Sequence, residues 1–321
     1  MSTFALADSP DSEDAFRHEA FLYAGEAQFV EGAAAFIGEA IVEDEPVLVV
    51  VSSRKIDLLR KRLGPVTDDV RFADMDEVGV NPARIIPAWA DFVNDHGERR
   101  TRGVGEPIWA ERSREEIVEC QLHEALLNLA FAGSNGFTLL CPYDTAALGQ
   151  DVVDEAVRSH RFILRDGAHW DSPRWPGIEE MGGPLSASLP EIPHPALELV
   201  FEAGSLGDLR SQVSREASRA GFGPSRAADV VTAVNEVASN SLRHGGGGGE
   251  LRLWHGPDAV VCEVTDGGHI VEPLVGRVRP ETDDRGGRGL WIVNQLCELV
   301  QIRSTLSGTA VRMHFRRRRA R

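Results

Sequence analysis

A chain of 321 residues exceeds one ordinary domain and suits two. With 42% hydrophobic and 26% charged residues it has the mix of a soluble globular protein able to bury real cores. A formal net charge of −16 argues against non-specific nucleic-acid binding, because phosphate contacts need a basic face.

The first residues, MSTFALADSPDSEDAF, are acidic and offer neither a basic nor an apolar leader region. No apolar run reaches the length of a membrane span, so the chain reads as cytoplasmic. Residues 1–15 are expected to be a disordered tail. Beyond them, Val47-Leu48-Val49-Val50-Val51 is a continuous β-branched run that suits a strand buried on both faces. A helix over 55–63, a strand over 70–73, helices over 86–93 and 115–131 and a strand over 137–141 follow. Strands alternating with helices predict an α/β domain on a mostly parallel sheet. The cysteines, Cys120, Cys141, Cys262 and Cys297, are widely spaced with no CxxC pair, which favours neither a disulfide framework nor a zinc site.

Pro173, Pro176, Pro184, Pro190, Pro193 and Pro195 then punctuate a stretch that neither helix nor sheet can cross, so a linker is placed at 169–195. Downstream come a strand over 197–202, helices over 206–220 and 225–244, and strands over 251–255 and 260–266. A long loop, a helix over 289–299 and two closing strands complete an α+β layer, with helices on one face of a mixed sheet. Residues 317–321 read as a solvated basic tail.

Three motifs fall in this second region. Glu236, Asn240 and His244 recur every four residues and share one helix face, where an amide oxygen can serve Mg²⁺ and a carboxylate can orient a nucleophile. An apolar strand ends in Asp266-Gly267-Gly268, placing a carboxylate where it can accept from an exocyclic amine. Arg285-Gly286-Gly287-Arg288-Gly289 runs straight into an apolar helix start, whose free N–H groups favour phosphate. Each motif alone is weak; a polar helix stripe is usually a solvated face, and Asp-Gly is a common turn.

In this order and spacing the motifs resemble the N, G1 and G2 boxes of the histidine-kinase/gyrase/Hsp90 (GHKL) ATPase superfamily, and Gly308-Thr309 resembles its last nucleotide contact. The resemblance implies a GHKL-type sandwich over 196–316 that binds ATP with Mg²⁺. Glu236 would be the base, Asn240 the Mg²⁺ ligand, and Asp266 with Gly268 the adenine contact. Arg285, Gly287, Arg288 and Gly289 would serve the phosphates, Thr309 the nucleotide, and 269–285 would be a mobile lid. The segment Gly289-Leu290-Trp291-Ile292-Val293-Asn294-Gln295-Leu296 looks like the anti-sigma-factor serine kinases. Those bind a sigma factor and phosphorylate an anti-anti-sigma (STAS-type) antagonist, and often pair as homodimers. Two departures favour binding over turnover: a flexible glycine run at 245–249 and a shortened Asp-x-Gly-x-Gly pattern. Alternatives are a non-catalytic nucleotide-dependent regulator and a sensor histidine kinase, for which His123 is the tempting phosphoacceptor.

The first region resembles the methanogen/methylotroph DcmR-type sensory (MEDS) domain over 16–168. It does so through His18-Glu19-Ala20-Phe21-Leu22-Tyr23, Gly105-Glu106-Pro107-Ile108-Trp109, Leu122-His123-Glu124-Ala125 and Cys141-Pro142-Tyr143-Asp144. The resemblance implies a RecA-like fold, but Ser52-Ser53-Arg54-Lys55 stands where a P-loop needs glycines, so ATP hydrolysis is not expected there. His18, Glu106, Trp109, His123 and Glu124 are the candidate sensory pocket. A packing role for the tryptophan and satisfied polar roles for the others are the competing reading.

Overall fold

The computed structural model describes residues 16–134, 136–178, 185–280 and 287–317. The expected tail at 1–15, Arg285, part of the proline-rich stretch and residues 318–321 lie outside the described residues. The chain divides into two compact units, Met1–Met181 and Gly182–Arg321. Among the described residues no helix is long and apolar enough to cross a membrane.

The first unit is α/β. In chain order it carries β1 (Arg17–Tyr23), α1 (Gly25–Val42), β2 (Val47–Val51), α2 (Ser53–Leu63), β3 (Val70–Asp74) and α3 (Met75–Val78). Then come α4 (Ile85–His96), β4 (Thr101–Gly105), α5 (Arg114–Ala130), β5 (Phe137–Asp144), α6 (Gln150–Ser159), β6 (Phe162–Arg165) and β7 (Ala168–Asp171). The sheet runs β3-β2-β4-β5-β1-β6-β7, parallel throughout except for the antiparallel edge strand β7. All five residues of β2 are buried, as a strand covered on both faces must be. Trp89 of α4 packs where Gly103 and Gly105 lie on β4; a Cβ at either glycine would come within 3.0 Å of the indole. Helix α5 starts with a capping box, Ser113 and Glu116 satisfying each other's backbone N–H groups.

The second unit holds β8 (Leu197–Glu202), α7 (Leu206–Arg219), α8 (Pro224–His244), β9 (Gly248–His255) and β10 (Ala259–Asp266). It closes with α9 (Arg288–Leu296), β11 (Leu299–Thr305) and β12 (Gly308–Arg316). Its sheet, ordered β11-β12-β10-β9-β8, is antiparallel in every pair rather than mixed. One face buries Val260, Cys262 and Val264 of β10, while the other carries the Glu263–Arg312 ion pair at 2.7 Å. The chain before β8 crosses that polar face: Leu185 O accepts from Ser304 N at 2.8 Å and Pro190 O accepts from Arg312 Nη2 at 2.8 Å.

Two local expectations change. The helix expected to reach residue 299 ends at Leu296, because Cys297 turns extended and Leu299 pairs with His314 as the start of β11. Gly248 and Gly249 are not a flexible run but the first residues of β9, paired with Glu202 and Phe201. A side chain at 249 would meet the Thr265 carbonyl at 2.6 Å and the Phe201 ring at 2.8 Å, so only glycine lets these strands close.

Candidate functional site

Helix α8 buries Ala227, Val230, Val234, Val237, Ala238 and Ser241 at helical spacing against the sheet, which leaves Glu236 and Asn240 on its partly exposed stripe. Across from them α9 begins at Gly287, whose φ of +82° opens the first turn in the left-handed region that glycine tolerates. Gly289 then lies directly against the stripe: a Cβ there would sit 3.1 Å from both Glu236 Oε2 and Asn240 Nδ2.

Asp266 ends β10 with both carboxylate oxygens engaged. Oδ1 accepts from Gly268 N at 2.7 Å and Oδ2 from Ser241 Oγ at 2.6 Å. Gly245 packs on the same carboxyl, leaving 2.4 Å between a built Cβ and Asp266 Cγ. Behind it runs an oriented chain of hydrogen bonds. Ile270 N donates to Ser304 Oγ at 2.8 Å, and Thr309 Oγ1 donates to Gly268 O at 2.9 Å. Ser304 Oγ and Thr309 Oγ1 are 2.8 Å apart, and with the Thr309 proton spent on the carbonyl, Ser304 must be the donor between them. The described part of the loop before α9 is anchored again where Asn294 Nδ2 donates to Gly276 O at 2.8 Å.

These groups line one cavity of about 320 Å³. Asn240, Asp266, Gly268, Gly287, Gly289 and Thr309 all reach it, and Glu236 stands behind Gly289. Arg288 occupies the first turn of α9 without lining the cavity. Ser241, Gly245 and Ser304 are site residues that motif reasoning missed. Only Ser241 left a signal, as the neighbour of Asn240 on the buried side of the helix.

The five candidate sensory residues separate into different places. Glu106 and Trp109 line a cavity of about 470 Å³ at the carboxyl ends of β1, β2, β4 and β5, where open parallel sheets present their ligand crevices. There Lys55 Nζ lies 2.6 Å from both oxygens of Glu106 and from Tyr23 OH, and 4.5 Å above the Phe29 ring. Burial raises the Glu106 pKa above the usual carboxylate range, opposed chiefly by Lys55. Burial, followed by the charge of Glu106, raises that of Tyr23 as well. His18 and Glu124 instead face each other at 3.0 Å inside the domain. His123 is fully buried on α5 and reaches neither place.

Residues 17–161 match the family described as MEthanogen/methylotroph, DcmR Sensory domain (MEDS), and residues 199–315 match the histidine kinase-like ATPase domain. No curated protein matches the chain. Among solved structures, the RsbU and RsbW domains of Rv1364c from Mycobacterium tuberculosis are similar at 21% identity and a TM-score of 0.28, over 38% of this chain and 33% of that one. The chain thus spans about a third of that protein's length.

Proposed function

We infer that this chain, in which a MEDS domain precedes a histidine kinase-like ATPase domain, is an anti-sigma-factor-type regulator. Its second domain binds Mg-ATP and phosphorylates a serine or threonine of an anti-anti-sigma partner, or sequesters a sigma factor, under control of the first domain. The observation that carries this reading is the convergence of three sequence-separated motifs on one cavity of about 320 Å³.

The residues present fit a magnesium nucleotide. Asp266 retains acceptor capacity beyond its two internal donors, and with Gly268 it can hold an adenine amino group. Backbone N–H groups at the start of α9, from Gly287 and Gly289, can receive phosphate oxygens. The bare Cα of Gly289 keeps those oxygens within reach of Glu236 and Asn240, a gap that any side chain would fill. Asn240 offers a hard amide oxygen to Mg²⁺. When bound, the ion neutralises charge on the transferring phosphate. Glu236 orients a partner's hydroxyl and accepts its proton.

A second reading, a regulator that binds nucleotide without turnover, is supported by one contact: Asn240 Oδ1 already accepts from Arg243 Nη2 at 2.9 Å. The histidine-kinase reading asks a fully buried His123 to receive a phosphoryl group, which its burial opposes.

The test is a magnesium-dependent titration of wild type and Asn240→Ala with ATP and ADP. Saturable binding that weakens at least about tenfold in the mutant supports the site; no binding by wild type overturns it. Acid-stable phosphate on a small serine-bearing partner, and none on the chain itself, separates the serine kinase from both alternatives.

A further inference from the structure

The first domain encloses a cluster that draws three of its residues from the motifs quoted above and the fourth from outside them. His18 on β1, Glu124 on α5, Cys141 on β5 and His160 just past α6 are all buried, and their ligand-type atoms lie within 4.8 Å of one another. His18 Nε2 is 3.0 Å from Glu124 Oε2 and 3.3 Å from Cys141 Sγ. His160 Nε2 is 3.4 Å from the same carboxylate oxygen.

The surroundings fix the protons on both rings. Asn128 donates its amide nitrogen to Ser159 O at 2.9 Å and Glu124 O at 3.1 Å, so the atom it turns to His18 Nδ1, at 3.1 Å, is its carbonyl oxygen. An amide oxygen only accepts, so His18 Nδ1 carries a proton. His160 Nδ1 lies 2.8 Å from the Ala156 carbonyl and must donate as well. With its proton held on Nδ1 by the Asn128 oxygen, the neutral form of His18 is the tautomer that a metal ligand needs. Its Nε2 therefore presents a lone pair to the cluster. His160 Nε2 and Glu124 Oε1 have no hydrogen-bond partner. Nitrogen, oxygen and sulfur donor atoms thus converge in a dry interior, where the Cys141 thiol and the Tyr143 hydroxyl turn their protons to Glu124.

Imidazoles held by an acceptor on Nδ1, their Nε2 atoms aimed at a carboxylate and a sulfur, are what metal ligands with supporting partners look like. We propose that His18, Glu124, Cys141 and His160 bind a divalent transition metal of the zinc class. Zinc takes such nitrogen, oxygen and sulfur donors tetrahedrally at about 2.0–2.3 Å, which spaces the ligand atoms roughly 3.3–3.8 Å apart. The contacts of 3.0–3.4 Å sit close to this spacing, and the widest separation, up to 4.8 Å, must close by about 1 Å. Mg²⁺ and Ca²⁺ prefer all-oxygen sets and do not fit. Binding displaces the thiol proton of Cys141 to solvent as the metal–sulfur bond forms; no electron moves. With four protein ligands the site is closed, which suits a structural or sensing ion rather than a hydrolytic one. The expectation against zinc rests on the absence of a CxxC pair, which a site assembled from separate elements does not need.

The test uses the untagged full chain, expressed in minimal medium supplemented with zinc or, as a coloured probe, cobalt. About one equivalent of metal per chain is expected after gel filtration, with a sulfur-to-cobalt charge-transfer band in the near ultraviolet. Cys141→Ala keeps a small apolar group at a buried position and should lower metal content roughly tenfold or more and abolish the band. Circular dichroism and cooperative unfolding report whether the variant folds; if it does not, wild-type stoichiometry and the cobalt spectrum decide. A wild type with under about a tenth of an equivalent in both media overturns the proposal. So does bound cobalt without the sulfur band, or a folded Cys141→Ala with unchanged content and spectrum.

Discussion

The cavity proposed for nucleotide in the second domain and the buried cluster of the first are built on opposite terms. The cavity is open, and its polar groups sit at the start of α9, the last turns of α8 and strand ends, each delivered by a short stretch of sequence. The cluster is sealed, and its members lie 106 and 123 residues from His18 along the chain, brought together by neighbouring parallel strands and the helix packed on them. An open site can let water satisfy what the protein leaves unpaired, so damage there should be read in binding. A sealed site has no such recourse, so damage to buried polar groups in the first domain should be read in stability.

The largest expected effect falls on a buried charge at the rim of the first domain's own cavity, at Lys55 and Glu106. Glu106 is 4% exposed, and Lys55 supplies its counter-charge. Lys55→Met should therefore cost about 2–4 kcal/mol at pH 8, the penalty of stranding a buried charge. The pH dependence has a definite sign. Burial already raises the Glu106 pKa, and loss of the lysine raises it further. A carboxyl whose folded pKa exceeds its unfolded value of about 4.3 favours the folded state below that value, an advantage lost as pH rises through the folded pKa. The deficit should shrink between pH 8 and pH 5.5 in urea denaturation, and Glu106→Gln added to Lys55→Met should restore most of it at pH 8. Equal deficits at both pH values would mean that losing Lys55 leaves the folded pKa of Glu106 unmoved, and would sink the coupling between the two.

Next in size is Gly245→Ala, which carries the comparison into the open site. The backbone φ at 245 is −98°, so no conformational strain is involved. The obstacle is space, with the new methyl 2.4 Å from Asp266 Cγ and 2.7 Å from the Ser241 carbonyl. Overpacking of this kind costs about 1–3 kcal/mol. Because the Asp266 carboxyl is what must move, ATP affinity should fall by more than the stability loss alone explains. Parallel thermal melts and nucleotide titrations would separate the two. Unchanged affinity would free Asp266 from its assigned role.

The same contrast explains what the sequence could tell. Strand 47–51 was legible because a strand covered on both faces needs an unbroken β-branched run, and 197–202 because Pro195 and Gly204 bracket it. β1 gave no such pattern: His18 and Glu19 are buried in it, and only tertiary partners make those polar residues affordable there. β4 reads as a loop, Thr-Arg-Gly-Val-Gly, until Trp89 is seen to occupy the volume its glycines vacate. In the cavity of the second domain most of the groups come from local motifs, so spacing along the chain was enough to propose them. In the cluster, His160 carries no local sign, and Cys141 is marked only by the motif it opens. Burial makes Cys141 indistinguishable by composition from a small core residue, and its neighbours exist only once the β1–β5 register is set.

The smallest effect concerns two residues that orient others. Ser241 holds Asp266 Oδ2 at 2.6 Å at the rim of the open cavity, and Asn128 holds His18 Nδ1 at 3.1 Å in the sealed interior. Ser241→Ala removes one donor from a carboxylate that is only half-buried, so a water can take the vacated position. The net loss should be about 1 kcal/mol, near fivefold in ATP affinity, with the unfolding midpoint almost unmoved. At Asn128 no water can enter, so Asn128→Ala should lower the unfolding midpoint and leave ATP affinity untouched. If Ser241→Ala instead destabilises the fold while sparing affinity, the hydroxyl is a packing group of α8. Asp266 would then keep its orientation from the Gly268 N–H alone.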